Sequence, residues 1–307
     1  MAAENLLELL DILSLSGKDK LPNKLRNKEA DNNISNKRNI RINKISDIDE
    51  ADELCLDRYA VSLLAWHCMP TLFHIKPASL VQIRKRAVGK ISELIAIIKG
   101  YAEAFSCCCS CLYESESAVS LLVYNRQMLK ELLADREVKE YLMSCGYSLA
   151  GSNVANLAKK QDIVEEQLEA VLDCWKQRYA EYFSRKQKAC LSNGSMRQWR
   201  ESMRLCRESM RLDYSDLERS RTVFPHEIGL LLGYPLKDVK AFIENSGKNY
   251  LLSGYWKVYH DKERALEIFD AYTKVRRYTL EKLKEGIRFK DISTLNKEDI
   301  SDILIRS

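Results

Sequence analysis

The chain has 307 residues, of which 46% are apolar, enough for a sizeable hydrophobic core in one or two domains. Its 49 basic and 44 acidic residues leave a net charge of only +5, which argues against whole-chain disorder and excludes a chain dominated by neutralisation of nucleic-acid charge. With five prolines and eleven glycines, it is predicted to be rich in long helices and poor in turn-rich β structure.

Residues 1–53 are predicted to be a basic, mostly disordered extension with a short helix over residues 5–13. Residues 17–49 contain nine Lys or Arg, five acidic residues and no aromatic residue, so this stretch buries too little to order itself. A solvated linker is the favoured interpretation. The alternative, an arm that binds nucleic acid, is weaker because no aromatic side chains alternate with the charges.

The protein is predicted to be cytoplasmic. The sequence has no run of about 20 apolar residues, so no membrane span is expected. The apolar segment Leu6 to Leu13 contains acidic residues and lacks the basic start of a secretory signal. Without such a signal, the ten cysteines are predicted to be reduced thiols.

Residues 54–150 are predicted to form the first half of a core domain. Ser79 to Tyr101 has the apolar period of a helix. The runs Phe105 to Tyr113 and Ala118 to Tyr124 flank a polar turn, which predicts a β-hairpin. Two short helices are expected after the hairpin, over 128–133 and 137–145.

Residues 151–222 are predicted to form an inserted helical hairpin. Its first arm has apolar residues at helical spacing from Val164 to Tyr182, and Ser192-Asn193-Gly194 breaks the pattern. In the second arm, apolar residues from Met196 to Met210 occupy the a and d positions of a short heptad pattern. Such a seam needs a partner helix, so the two arms are expected to pack against each other in a hairpin that projects from the core.

Residues 223–286 are predicted to form the second half of the core domain. Pro225 and Pro235 each mark the first turn of a short helix. The segment Tyr250 to Tyr259 is typical of a strand or hairpin, and Asp261 is expected to begin a long helix.

Together these elements predict an α+β fold that is mostly α. A small antiparallel sheet is expected from residues 105–113, 118–124 and about 255–259, covered by helices on both flanks. The inserted helical hairpin would separate the two halves of this one discontinuous domain. Residues 287–307 are interpreted as a polar C-terminal appendix.

A cluster of cysteines at Cys107, Cys108, Cys109 and Cys111 raises the question of a metal site. On a strand, alternate members of the cluster would share one face. Structural zinc sites, however, usually draw their ligands from C-x-x-C pairs in tight turns, and the one pair with this spacing, Cys108 and Cys111, lies within a predicted strand. We therefore predict a buried strand of small residues and no metal site.

Cys68 and His226 are candidates for a Cys–His nucleophile pair in which Glu227 orients the imidazole. A neighbouring imidazole or a helix N-terminus lowers the pKa of a thiol and makes it reactive. Both residues lie at the ends of predicted elements, where side chains and unpaired backbone N–H groups can converge on a ligand. The alternative is an inert buried cysteine and a histidine that bonds a neighbouring carbonyl group.

Residues 226–242 also fit the spacing of a helix-turn-helix, with Gly233 at the turn. The second helix would present Lys237, Asp238, Lys240 and Glu244, which is a nearly neutral face where phosphate contacts would favour Lys or Arg. Two helices packed at an angle around a glycine turn are therefore the favoured interpretation.

Several ordered motifs carry a family resemblance. They are His67-Cys-Met-Pro-Thr-Leu72, Lys76-Pro-Ala-Ser-Leu80, Leu121-Leu-Val-Tyr124, Cys145-Gly-Tyr147, Phe224-Pro-His-Glu-Ile-Gly229, Leu232-Gly-Tyr-Pro235 and Gly254-Tyr-Trp-Lys-Val-Tyr259. Together they resemble the uncharacterised bacterial family called domain of unknown function 3793, over roughly residues 60–150 and 223–285. The basic extension, the heptad hairpin and the C-terminal appendix lie outside this resemblance.

The resemblance implies no established activity, but it selects polar residues on the signature stretches. The signature stretches contain Cys68, His226 and Glu227. They also contain five polar or aromatic residues that we predict to bind a ligand. These are His67, Lys76, Asn245, Asn249 and Trp256. The resemblance also implies a neighbourhood of iron-uptake and flavodoxin genes, and with it a link to iron or redox homeostasis.

The predicted function is that of a cytosolic protein that binds a small molecule or a protein partner, with no membrane and no nucleic acid expected and with the cofactor left open. The alternative is a thiol-dependent enzyme with Cys68 as nucleophile and His226 as base. A helix-turn-helix DNA binder is the third possibility. In each case, the functional surface is expected where the two signature halves meet.

Overall fold

The computed structural model describes residues 52–147, 160–192 and 224–295. The predictions for the basic extension, for the second arm of the helical hairpin and for most of the C-terminal appendix lie outside these described residues. Within them, the fold is α+β with helices in the majority and a small antiparallel sheet, as predicted.

The described part of the chain contains ten α-helices and five β-strands. The helices are α1 (Asp52–His67), α2 (Met69–Leu72), α3 (Ile91–Ala104), α4 (Arg126–Ala134), α5 (Arg136–Ser144), α6 (Lys160–Ser192), α7 (Ile228–Leu231), α8 (Leu236–Glu244), α9 (Lys262–Lys284) and α10 (Phe289–Ile292). The strands are β1 (Ala78–Arg84), β2 (Cys108–Glu114), β3 (Ala118–Tyr124), β4 (Leu252–Ser253) and β5 (Lys257–Val258). A 3₁₀ turn follows β1 at Lys85–Ala87.

The main sheet has the strand order β1-β3-β2, and both pairs are antiparallel. The prediction of one helix over Ser79 to Tyr101 is wrong in its first part, because this stretch begins with β1 and α3 starts only at Ile91. Leu80 and Ile83 fit a helical period, but the residues of β1 alternate in exposure and pair with β3 along their whole length. This pairing over a long sequence distance overrides the local pattern.

The predicted third strand at about 255–259 does not join the main sheet. It forms β5, which pairs with β4 in a separate two-stranded hairpin. Each of these strands has two residues, and Gly254 in the turn lies against the ring of Phe269 on α9. The hairpin is therefore held by side-chain packing on α9 rather than by extension of the sheet.

Both faces of the main sheet are buried. One face packs against α1, α3, α9 and α10, and the other packs against α4, α5, α6 and α7. Leu168, Val171 and Trp175 of α6 are fully buried in the second core, and Tyr179 donates a hydrogen bond to Ser120 of β3 at 3.3 Å. The first arm of the predicted hairpin is thus helical, but it is part of the core rather than a projecting arm.

The two signature halves contact each other through backbone and side chains. A Cβ atom on Gly233, which has φ = +81°, would lie 2.7 Å from Cδ of Pro77, so glycine is needed where the turn after α7 meets the start of β1. Glu227, just before α7, is buried beside Arg178 of α6 and Tyr147. These contacts fix the position of the segment from Phe224 onwards relative to the sheet.

Candidate ligand-binding site

A cavity of about 350 Å³ lies between the second signature half and the main sheet. The loop before α7, the helices α7 and α8, and the β4–β5 hairpin surround it, and Leu80 of β1 closes one side. The lining residues are Leu80, Phe224, His226, Ile228, Gly229, Leu232, Tyr234, Asp238, Val239, Phe242, Ser253, Gly254, Trp256 and Lys257. Ser253 and Gly254 are exposed, so the cavity reaches the surface at the hairpin.

Five of the fourteen lining residues carry rings, counting the imidazole of His226. The imidazole of His226 lies between Phe224 and Phe242, with ring centroids 5.2 and 5.0 Å apart. On the other side, Tyr234 stacks on Trp256 with centroids 5.5 Å apart and planes 27° apart. Such surfaces favour contact with a flat, apolar molecule.

His226 is a polar residue that lies between two of these aromatic rings. Its Nε2 atom is buried and has no hydrogen-bond partner among the described residues. Burial lowers the pKa of the ring to about 4, so the imidazole is neutral at pH 7 and can offer either a donor or an acceptor, depending on its tautomer. A buried polar atom without a partner is rare, and a ligand atom in the cavity would satisfy it.

Asp238, in the first turn of α8, holds the wall in place. Its carboxylate accepts a hydrogen bond from Nε1 of Trp256 at 2.7 Å and from the backbone N–H groups of Tyr259 and His260 at 2.9 Å each. The prediction that Asp238 lies on the face presented by the second helix is wrong, because its side chain is buried. The bonds to residues some 20 positions further on become visible only in the fold.

Lys257 places a positive charge at the cavity. Its ammonium group donates to the carbonyl oxygen of Gly247 at 2.6 Å and lies over the rings of Phe242 and Tyr250, at 5.7 and 4.8 Å from their centroids. These contacts hold the amine at the edge of the aromatic wall, where it can attract an acidic group of a ligand.

Glu227, a predicted catalytic residue, has other partners than the ring of His226. Arg178 lies 2.9 Å from its Oε1, and the hydroxyl of Tyr147 donates to the same atom at 3.2 Å. Burial raises the pKa of the carboxyl group, and Arg178 opposes that effect. No hydrogen bond joins Glu227 to the imidazole of His226 within the described residues. The acid therefore links the loop before α7 to α6.

Cys68 lies at the junction of α1 and α2 and is completely buried in the first core. Burial raises the pKa of its thiol far above the ordinary value, although the charge of Lys76 acts in the opposite direction. In the part of the chain that the structure describes, no hydrogen bond joins Cys68 to His226. The thiol is thus protonated at pH 7, and the nucleophile pair stays a prediction that these contacts do not support.

The predicted ligand-binding residues lie in three different places. His67 and Lys76 lie near Arg276 of α9, and burial together with the charges of Arg276 and Lys76 lowers the pKa of His67. Asn245 and Asn249 lie in the turn after α8, where the Asn245 amide donates to the carbonyl oxygen of Ala241 at 2.8 Å. Trp256, by contrast, lines the cavity.

Cys108, Cys109 and Cys111 lie on β2 as predicted for a strand, but they are half-buried rather than buried. Cys107, just before the strand, donates from its thiol to the carbonyl oxygen of Thr71 at 3.5 Å, and Cys109 and Cys111 pack against the same core as Cys107. Cys108 packs against the opposite core. Across residues 52–147, 160–192 and 224–295, no group of three or more His, Cys, Asp or Glu side chains is arranged to hold a metal ion.

Residues 64–293 match the model of the family described as "Protein of unknown function (DUF3793)". The match covers about three quarters of the chain, so the protein belongs to this family, which confirms the resemblance. The matched range includes α6, which the resemblance in the motifs left out. No curated protein and no solved structure matches the chain. None of the helices described here has both the length and the apolar character of a membrane-spanning segment.

Proposed function

We propose that the protein binds a small, flat, mainly apolar molecule in the cavity between Phe224 and Lys257. The observation that carries this proposal is the unpartnered Nε2 atom of His226 in a mainly apolar wall. A core built for packing alone would place an apolar side chain at this position, because burying an unpaired polar group costs about 1–3 kcal/mol.

The size and lining of the cavity support a small-molecule ligand. A volume of about 350 Å³ falls at the lower end of the range of roughly 300–1,000 Å³ that is typical of ligand pockets. Tyr234, Trp256 and Phe242 offer ring faces on which a planar molecule can stack. His226 then supplies one directional hydrogen bond, which sets the orientation of the ligand.

The charge at the cavity favours a ligand that carries an acidic group. Lys257 is half-buried at the rim, and none of the described carboxylates forms an ion pair with it. Its bond to Gly247 uses one of the three protons of the ammonium group. An aromatic carboxylate would satisfy Lys257, His226 and the ring faces together.

The test is a calorimetric titration of the full chain with indole-3-acetate and with indole. We expect indole-3-acetate to bind with 1:1 stoichiometry and indole to bind more weakly, since indole lacks the carboxylate. Ser253→Trp places a large ring at the exposed mouth of the cavity and is expected to weaken binding at least tenfold. The matched control is Leu251→Trp, which adds the same ring at an exposed position outside the lining.

Two further results complete this test. His226→Phe keeps a ring of similar size but removes the nitrogen, and it should weaken binding of indole-3-acetate about tenfold, the loss expected for one buried hydrogen bond. If the wild-type protein binds neither probe, or if Ser253→Trp and Leu251→Trp bind equally well, the proposal fails.

The other functional predictions gain less support from the described contacts. The thiol-dependent enzyme requires a reactive Cys68, and this thiol is buried and has a raised pKa. The helix-turn-helix requires two helices of recognisable length, whereas α7 has four residues, all of them buried. The cytoplasmic location and the link to iron or redox homeostasis stay predictions.

A further inference from the structure

A group of positive charges lies outside the cavity, where the end of α1 and the loop before β1 meet α9. Lys76 of that loop lies over the ring of Tyr272, with 5.9 Å between the ammonium nitrogen and the ring centroid. Arg276, one helical turn after Tyr272, lies over Trp66 at 4.6 Å. None of these residues lines the cavity.

Arg276 is held in a fixed orientation by its neighbours. Its guanidinium group donates from Nη2 to the hydroxyl of Tyr255 at 2.8 Å and also lies over the Tyr255 ring at 5.4 Å. Its Nε atom is buried and has no hydrogen-bond partner among the described residues. A planar guanidinium with a fixed plane on a partly exposed side chain is well suited to an oxyanion.

The cluster lacks a negative charge of its own. Within residues 52–147, 160–192 and 224–295, no carboxylate forms an ion pair with His67, Lys76 or Arg276. Burial and, to a smaller extent, the charge of Arg276 lower the pKa of Lys76 to about 8, although Cys68 acts in the opposite direction. Two partly buried cations without a counter-charge are costly unless an anion from solution joins them.

The two positive charges of Lys76 and Arg276 match a ligand with two negative charges. At pH 7 Arg276 is positive and Lys76 is mostly protonated, while the pKa of His67 is lowered by partial burial and by both cations, so that its ring is neutral. His67 is exposed and Lys76 and Arg276 are each half-buried, so the cluster is accessible from solution. A neutral imidazole at this edge can still donate one hydrogen bond to an oxygen atom.

We propose that Lys76 and Arg276 form a binding site for a phosphate group, with Trp66 and Tyr255 orienting the guanidinium and His67 at the entrance. The site is separate from the aromatic cavity and does not depend on the function proposed for it. Its ligand is either free phosphate or the phosphate group of a small organic molecule.

The experiment is a calorimetric titration of the full chain with inorganic phosphate and with phenyl phosphate at pH 7, at an ionic strength held constant with potassium chloride. We expect saturable 1:1 binding of phosphate in the millimolar range or tighter. Tighter binding of phenyl phosphate would assign the site to a phosphate-bearing organic molecule, which can pack its ring on Trp66. Equal or weaker binding would assign it to the free ion.

Three variants test the residues. Lys76→Met and Arg276→Gln should each weaken phosphate binding about tenfold, the loss expected for one charged hydrogen bond. Arg277→Gln removes the same charge from the next residue, which is exposed, and should change the affinity less than twofold. Lys76→Met leaves the contacts of Arg276 intact and so remains informative if Arg276→Gln is unstable. Absence of phosphate binding at about 10 mM, or equal affinity in Lys76→Met and Arg277→Gln, would overturn the proposal.

Discussion

The signature stretch that contains Cys68 and the one that begins at Phe224 differ in how completely their polar groups are satisfied. Around Cys68, the hydroxyls of Thr71 and Ser79 bond each other at 2.8 Å, and the thiol of Cys107 bonds a backbone carbonyl group. Around His226, a ring nitrogen has no partner among the described residues and a cavity lies beside it.

This difference shows why polar residues in a family signature need not share one role. Cys68 fills a closed core and its thiol has no access to solvent, so its environment is that of a small apolar side chain. His226 faces an opening that reaches the surface through the β4–β5 hairpin. The sequence suggests a joint site for the two residues, whereas their surroundings suggest a structural role for the first and a ligand-binding role for the second.

The largest expected effect on the free energy of unfolding comes from the ion pair between Arg178 and the buried carboxylate of Glu227. Arg178→Met leaves the fully buried Glu227 carboxylate without its cation and should lower the free energy of unfolding by about 4 kcal/mol, measured by urea denaturation. Arg185→Met breaks an exposed pair with Glu181 on the same helix and should cost less than about 1 kcal/mol. Similar small losses in both variants would show that Glu227 does not depend on Arg178.

The second largest effect on the free energy of unfolding is expected at Asp238 in the wall of the cavity. Asp238→Ala removes the acceptor for Trp256, Tyr259 and His260 and should lower the free energy of unfolding by about 3 kcal/mol. Asp238→Asn retains one side-chain oxygen as acceptor and should cost less than half as much. Both variants should also weaken binding of indole-3-acetate. If they destabilise the protein but bind the probe as tightly as the wild type, Trp256 is not part of the ligand site.

The third effect is a dependence of stability on pH that arises from His226. Between pH 6.5 and 4 the unfolded ring binds a proton, while the folded ring, whose pKa burial lowers to about 4, does not. The free energy of unfolding therefore falls as the pH falls through this window, by about 2 kcal/mol after allowance for partial exposure of the ring. The fall in the free energy of unfolding across this pH window should be smaller by this amount in His226→Gln. Parallel profiles for the two proteins would contradict the account.

The smallest effect is expected at Cys68. Cys68→Ala removes a buried sulfur and should cost about 1 kcal/mol of stability, because the cavity that it leaves is small. Binding of indole-3-acetate should remain within twofold of the wild-type affinity. A large loss of binding in this variant would return Cys68 to the functional site and would remove the contrast between the two stretches.

Elements with strong local signals were predictable from the sequence. The strand β3 follows a polar turn, and Asp261 caps α9 by accepting a hydrogen bond from the backbone N–H of Arg264. By contrast, β1 was not predictable, because its pairing with β3 depends on contacts over some 40 residues. In general, local patterns specify caps and turns, whereas the partner of a strand is decided by the whole fold.

The candidate site was predictable only in part. The signature motifs contain His226 and Trp256, both of which line the cavity. The motifs do not show that Cys68 is buried and that His226 faces a cavity, because burial depends on how the whole chain packs. Asp238 and Arg276 were missed for the same reason, since each gains its meaning from partners on other elements.

The most direct test of the contrast is a titration of the ¹⁵N-labelled full chain with indole-3-acetate, followed in two-dimensional ¹H–¹⁵N spectra. We predict that the amide signals that move most belong to Gly229, Gly254 and Lys257, which line the cavity, while those of Cys68 and Ser79 stay in place. Shifts centred on Cys68 and Ser79, or no shifts in either region, would contradict the claim that the open stretch around His226 is the ligand-binding one.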